Sequence, residues 1–195
     1  MLNSVGMFIV VCLFSSYVQE RTLEYNVIYR GKNVGTTQLY QKQAGENVYT
    51  KVVANVKINL IINIKVHTEE ECMFQSGKLV YSNLTRTVNG KEKANKQTKA
   101  VADTYQTFSF GKPGSVNKEA IDYNFGLLYC TEPENKQTIY SDNFQQFVNI
   151  QKVSDHKYKI KLPDGNYNYY SFENGICSVA ELHHTFYTFY VTLKK

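Results

Sequence analysis

Residues 48–66 read VYTKVVANVKINLIINIKV, and the parity of this stretch decides the fold. Its even positions run Val48, Thr50, Val52, Ala54, Val56, Ile58, Leu60, Ile62, Ile64 and Val66. Its odd positions include Lys51, Asn55, Lys57, Asn59, Asn63 and Lys65, with His67 next. Successive strand residues point to opposite faces, so this alternation describes a β-strand with one buried and one wet face. A helix would rotate the apolar set off one parity within two turns. At ~3.3 Å per residue a straight strand of this length would span about 60 Å, far beyond the usual strand. It must therefore either coil around a strongly curved sheet or break at an Asn into two pieces of matching parity.

The flanking sequence extends the pattern. TLEYNVIYR (22–30) places Leu23, Tyr25, Val27 and Tyr29 on one face before GKNVG turns the chain. KLVYSNLTRTV (78–88) leads into Asn89-Gly90, a dipeptide that tolerates positive φ at both positions and so favours a tight hairpin. In KYKIKL (157–162) three lysines alternate with Tyr158, Ile160 and Leu162, a solvated face opposite a buried one. Short strands separated by turn residues predict an all-β fold, a strongly curved antiparallel sheet or a barrel of about eight strands. Residues 119–147 alternate poorly and carry Pro133, which predicts a short helix or loop that covers or plugs the sheet.

Composition agrees with this fold. The chain has 195 residues, 16 Tyr, 11 Phe and no Trp, and such a supply of aromatics favours strands. The net charge of +5 comes from scattered residues, 22 Lys and Arg against 17 Asp and Glu, so nucleic acid is not an expected partner. MFIVVCLFSSYV (7–18) is apolar but too short for a comfortable transmembrane helix. It is read as part of a signal peptide over residues 1–18, ahead of one β-domain over 19–195. Retention as an anchor or lipidation at Cys12 are the alternatives. The expected location is periplasmic or secreted, and the mature chain is not expected to be an integral membrane protein. Cys72, Cys130 and Cys177 remain, an odd number without a CxxC, which leaves either one bridge or buried thiols.

The C-terminal half also carries a family resemblance. Leu128, Tyr129, Glu132 and Pro133, followed by Pro163, Asp164, Gly165, Asn168, Tyr170, Asn174 and Gly175, resemble the pattern of small secreted proteins found mainly in Bacteroidetes. That family is known only as a domain of unknown function, and YNVIYRGKNVG near the N-terminus is similar to its first hairpin. More loosely, the layout resembles periplasmic lipoprotein carriers, whose curved sheets hold acyl chains. The resemblance implies a fold and an exported location but brings no activity.

Chemistry is sparse. His183-His184 cannot both face one metal from a regular strand, but Glu181 and His183 share a face and are the candidate acid–base pair. Glu69-Glu70-Glu71 is expected to be a solvated turn, and His67 and His156 to stand alone. NGKEKANKQ (89–97) is expected to form a hairpin tip. No cofactor or metal is expected, and no nucleophile motif is present. The leading expectation is a non-enzymatic protein that holds an apolar or lipid-like ligand inside the sheet. Ile58, Leu60, Ile62, Ile64, Tyr167, Tyr169, Tyr170 and Phe172 are its candidate contacts. The alternative is an envelope protein with a filled core and an envelope partner; an enzyme using Glu181 and His183 comes third. YNYYSFE (167–173) puts Tyr167 and Tyr169 on one face and Tyr170 and Phe172 on the other.

Overall fold

A computed structural model describes residues 18–59, 63–117 and 120–195. Strands dominate: β1 (Val18–Tyr29), β2 (Lys32–Ala44), β3 (Asn47–Asn59), β4 (Asn63–Gln75), β5 (Lys78–Val88), β6 (Lys91–Val101), β7 (Thr104–Ser109) and β8 (Lys112–Val116). After a single 3-10 turn at Leu127–Tyr129 come β9 (Thr138–Ser141), β10 (Gln146–Ser154), β11 (Lys157–Lys161), β12 (Tyr167–Glu173), β13 (Ile176–His184) and β14 (Tyr187–Leu193). All pair antiparallel in one 14-stranded sheet ordered β8-β7-β6-β5-β4-β3-β2-β1-β14-β13-β12-β11-β10-β9. The fold is all-β, as the alternation predicts, with more strands than the eight expected.

The deciding stretch breaks at its asparagines. β3 and β4 form one hairpin in which Ile58 pairs with Ile64 and Val56 with Val66, so even parity is preserved across the turn. Leu60 and Ile62 lie outside the described residues. The same parity continues down β4 through Thr68, Glu70, Cys72 and Phe74, and the last two are buried.

Several hairpins close on pairs of positive φ; Asn89 and Gly90, at 51° and 76°, form the type I′ turn that matches the twist of the strands. Only this dipeptide of NGKEKANKQ is a tip, because Lys91 already begins β6. Register shifts at Val27/Ile28, Met73/Phe74, Arg86/Thr87, Lys152/Ser154 and Ser171/Phe172 mark bulges, which bend strands and increase the curl of the sheet. Consecutive antiparallel strands also fix the ends of the molecule. Every odd-to-even hairpin turns at one rim and every even-to-odd hairpin at the other.

The sheet curls around the segment between β8 and β9. Ile121, Tyr123, Asn124, Leu127, Leu128 and Cys130 in that segment are buried. They join a core cluster that includes Tyr25, Leu39, Phe74, Tyr140, Ile160, Tyr170 and Phe172. Main-chain bonds fasten the segment on both sides: Leu79 N donates to Ile121 O at 2.8 Å, and Tyr140 N donates to Tyr123 O at 2.9 Å. Tyr25 Oη donates to Tyr129 O at 3.1 Å and Arg21 Nη2 to Cys130 O at 3.0 Å. The poor alternation of 119–147 thus marks a plug, as expected.

One glycine tests how tightly the wall is built. A Cβ at Gly35 would lie 2.1 Å from Asn55 O and 2.8 Å from Val56 Cα, both backbone atoms of β3. Backbone cannot swing aside as a side chain can, so Gly35→Ala must push β2 off β3. Denaturant unfolding of Gly35→Ala should show a loss of about 1–3 kcal/mol, the usual cost of overpacking; unchanged stability would contradict this register.

Candidate functional site

The inner face of β4 carries a charge that the sequence pattern hides. Glu69 and Glu71 point outward, where Lys51 Nζ lies 2.6 Å from Glu69 and Tyr49 Oη donates to Glu71 at 2.9 Å. Glu70, between them, points into the plugged interior, so the expected solvated turn is instead mid-strand. The reason is parity: Glu70 falls on the even face that runs unbroken from Val48.

Glu70 meets Asp142, from the corner between β9 and β10. The two carboxyls are close enough to shift each other's titration; Asp142 is 2% exposed and Glu70 is half-buried. Asn124 Nδ2 donates to Asp142 Oδ2 at 3.0 Å, and the nearby Ser82 hydroxyl favours the ionised form of Asp142. Glu70 Oε1 and Asp142 Oδ1 are both shut off from solvent, and neither has a donor partner among the described residues. One proton held between the two carboxyls supplies the missing donor, because two adjacent buried carboxylates cannot both stay ionised. Burial, followed by the Asp142 charge, pushes the Glu70 carboxyl well up from its ordinary range. Burial also raises Asp142, against the bonds it accepts.

Around this acid pair runs a polar belt. Thr50 Oγ1 and Cys72 Sγ are 2.9 Å apart, and Cys72 Sγ lies 3.7 Å from Asn124 Oδ1. Gly126 of the plug sits directly on them, since a Cβ there would be 3.1 Å from Thr50 Oγ1 and 3.2 Å from Cys72 Sγ. Arg86 donates to Thr68 Oγ1 at 3.2 Å and to Asn143 Oδ1 at 3.4 Å. Burial lowers the Arg86 pKa, and the Glu70 charge opposes that shift. The belt can hold and exchange a proton internally, and none of Glu70, Arg86 and Asp142 borders the surface depressions described below.

The expected acid–base pair lies on the opposite, outward face. Glu181 and His183 are 3.3 Å apart, and Lys157 Nζ lies 2.8 Å from Glu181. Burial of Glu181 opposes the shift, but Lys157 and His183 together pull its carboxyl below the ordinary value. Tyr167 stacks on His183 at 4.7 Å and 18°. Lys159 sits over both Tyr167 and Tyr169, at 4.4 and 5.2 Å. The group is a self-satisfied outer face, and neither depression is lined by Glu181 or His183. His184 points inward, 4.6 Å from Tyr187, where burial lowers its pKa. His156 does not stand alone, because its Nδ1 lies 3.0 Å from Glu132.

The six candidate ligand contacts among the described residues are not brought together. Tyr170 and Phe172 are buried in the core, Tyr167 and Tyr169 are half-buried outside, and Ile58 and Ile64 pair at the far end of the β3–β4 hairpin. Among the described residues, two depressions open on the surface. One of about 390 Å3 is lined by Val34, Val56, Val66 and neighbours; the other, of about 250 Å3, by Leu79, Ala100, Tyr105 and neighbours. Cys72, Cys130 and Cys177 are free and buried. Burial pushes Cys130 up to about 11, Cys177 up to about 12, and Cys72 higher still, so none is a thiolate at neutral pH.

The acid pair makes stability depend on pH with a definite sign. A carboxyl raised on folding favours the native state below its unfolded pKa near 4.5, and that gain is lost as pH rises toward the folded value. Stability should therefore fall with rising pH above the ordinary carboxylate range, by up to about 1.4 kcal/mol per pH unit for one retained proton. Glu70→Gln keeps a donor facing Asp142 Oδ1 and removes the titration. Its melting curves should lose less stability than the parent's between about pH 5 and about pH 8; parallel losses in both proteins would exclude a shared proton.

Against solved structures, the fold is similar to the crystal structure of a beta-barrel-like protein of domain of unknown function DUF1849 from Brucella abortus. The TM-score is 0.53 at 10% identity, over 93% of this chain and 98% of that one. At that identity the likeness speaks to fold alone. No curated protein matches the chain. The match that covers most of the sequence runs over residues 25–194, from the buried Tyr25 of β1 to the end of β14, and the chain belongs to the family of that domain, the domain of unknown function DUF6134.

Proposed function

We propose that this chain is an exported, non-enzymatic β-barrel module of the cell envelope that works through its outer surface. The observation that carries this reading is the occupied interior. The plug from Ile121 to Cys130 and the side chains packed on it take the space where a carrier would hold cargo. Export is supported by the apolar residues 7–18, of which 7–17 lie outside the described residues, and by the resemblance to secreted proteins mainly of Bacteroidetes. A periplasmic or secreted site follows from the same reading. Catalysis is disfavoured by the chemistry: burial holds the thiols protonated, Asp142 of the acid pair is buried, and Glu181 and His183 are tied up by Lys157, Thr188 and the stacked Tyr167 ring.

A second reading, a protein that holds an apolar or lipid-like ligand as a lipoprotein carrier does, draws on one observation. The depression lined by Val34, Val56 and Val66 continues the even face toward Ile58 and Ile64, and its volume falls within the range of small-ligand sites. Native mass spectrometry of protein purified without harsh detergent separates the two readings. The chain alone, with no co-purifying mass, is the expected result; a stoichiometric lipid adduct would overturn the filled module in favour of a carrier.

A further inference from the structure

The positive charge looks scattered along the sequence, but the topology gathers it at one end. The odd-to-even hairpins share a rim. Arg30 and Lys32 flank the first, Lys57 and Lys65 the second, and Lys91 and Lys93 follow the third; Lys112 follows the fourth and Lys161 precedes the sixth. All eight are exposed, against two acids in the same spans, Glu92 and Asp164. Among the described residues, none of the eight takes part in an ion pair. At the opposite rim acids balance the cations: Lys42 lies on Glu20, Lys136 on Asp122 and Lys152 on Asp155, and although Lys78 has no ion pair among the described residues, Glu46, Asp103 and Glu173 add exposed acids at its turns.

The same basic rim carries the most exposed aromatic side chains among the described residues. Phe186, between β13 and β14, is 91% exposed, and Phe110, between β7 and β8, is 51% exposed. Phe110 occupies the first central position of a type I′ turn, with φ at 50° and Gly111 at 76°. Asn, Asp or Gly would hold that turn with less strain, so local backbone preference does not account for a phenylalanine there.

We propose that this rim docks on an anionic phospholipid surface, with Phe186 and Phe110 seated at the headgroup boundary. Hairpin tips around one end of a barrel define a plane, and a plane of unpaired cations with protruding aromatics complements a bilayer surface. Cations near such a surface gain from its negative potential, and apolar side chains add to that by entering the interface. The proposal rests on the filled-module reading and names its partner.

Full-length protein should cosediment with vesicles of phosphatidylcholine mixed with phosphatidylglycerol, and much less with phosphatidylcholine alone. Residues 7–18 are common to every variant, so differences between variants report the rim. The triple variant Lys57→Gln, Lys65→Gln, Lys91→Gln should bind the mixed vesicles roughly a hundredfold more weakly. Phe110→Asn with Phe186→Ser should weaken binding several-fold while Phe110→Asn leaves thermal stability equal or higher, which separates lost docking from lost folding. Equal binding to both vesicle types, or full binding by the lysine variant, would overturn the proposal. So would weakening by the lysine changes alone, with the phenylalanine variant unaffected and equal capture by an acidic polymer, because the rim would then be a general polyanion site. A lipid adduct in native mass spectrometry would instead count against the filled module and leave the vesicle result to be read by itself.

Discussion

A sheet of fourteen strands cannot close on its own side chains. Barrels of about eight strands are narrow enough for inward side chains to fill them, and wider ones enclose a cavity or take a plug. This chain solves the problem with the segment between β8 and β9. Its carbonyls and amides reach β5 through Leu79, β7 through the Tyr105 hydroxyl, and β9 through Tyr140. Its apolar residues join a cluster drawn from both halves of the sheet. No hydrogen-bonded ladder joins β8 to β9. The edges are instead held near one another by the plug and by bonds such as Gln145 Nε2 to Gln97 O, at 2.8 Å, and Thr98 Oγ1 to Tyr140 Oη, at 2.9 Å.

The plug also explains the chemistry of the interior. Irregular backbone leaves polar groups that a regular strand would satisfy, and buried polar groups need partners. Asn124 serves both sides, accepting from Leu127 N and donating to Asp142. Thr50, Cys72, Ser82 and Glu70 line the wall opposite. The acid pair is then a consequence of filling a wide barrel with chain: two carboxyls from elements far apart in sequence share one proton because neither can afford a full charge there. With the inside filled, the proposed function places recognition on the outside. The two rims differ there, one with its cations largely matched by acids and the other basic and tipped with phenylalanine.

Much of this was legible in residue patterns. The parity of 48–66 predicted strands and left two outcomes, a long coiled strand or a break at an Asn; the chain takes the second, between Asn59 and Asn63. The split of Tyr167 and Tyr169 from Tyr170 and Phe172 follows from simple alternation and is observed. Glu70 was misplaced although the signal was available, since the even face of β3 and β4 continues through Thr68 and Glu70 to the buried Cys72 and Phe74. Three consecutive acids suggested solvent, but parity outweighs composition when a strand is flanked by partners on both sides. The meeting of Glu70 with Asp142, 72 positions away, has no local signature, because it depends on where the plug delivers the β9–β10 corner. The basic rim was hidden for a related reason: charges spaced evenly along a sequence collect at one end only once the hairpins are folded.

The central claim is that residues 121–130 are core rather than a lid. Their amides are bonded inside the sheet: Ile121 N to Tyr105 Oη, Leu128 N to Phe125 O and Cys130 N to Leu127 O. Amide hydrogen exchange measures this directly, because core amides exchange only through global unfolding whereas lids open locally. Protection of Ile121, Leu128 and Cys130 equal to that of Leu39 in β2 and Cys72 in β4 is the result this structure requires. Exchange of the segment through a low-energy local opening, while β2 and β4 remain protected, would contradict it.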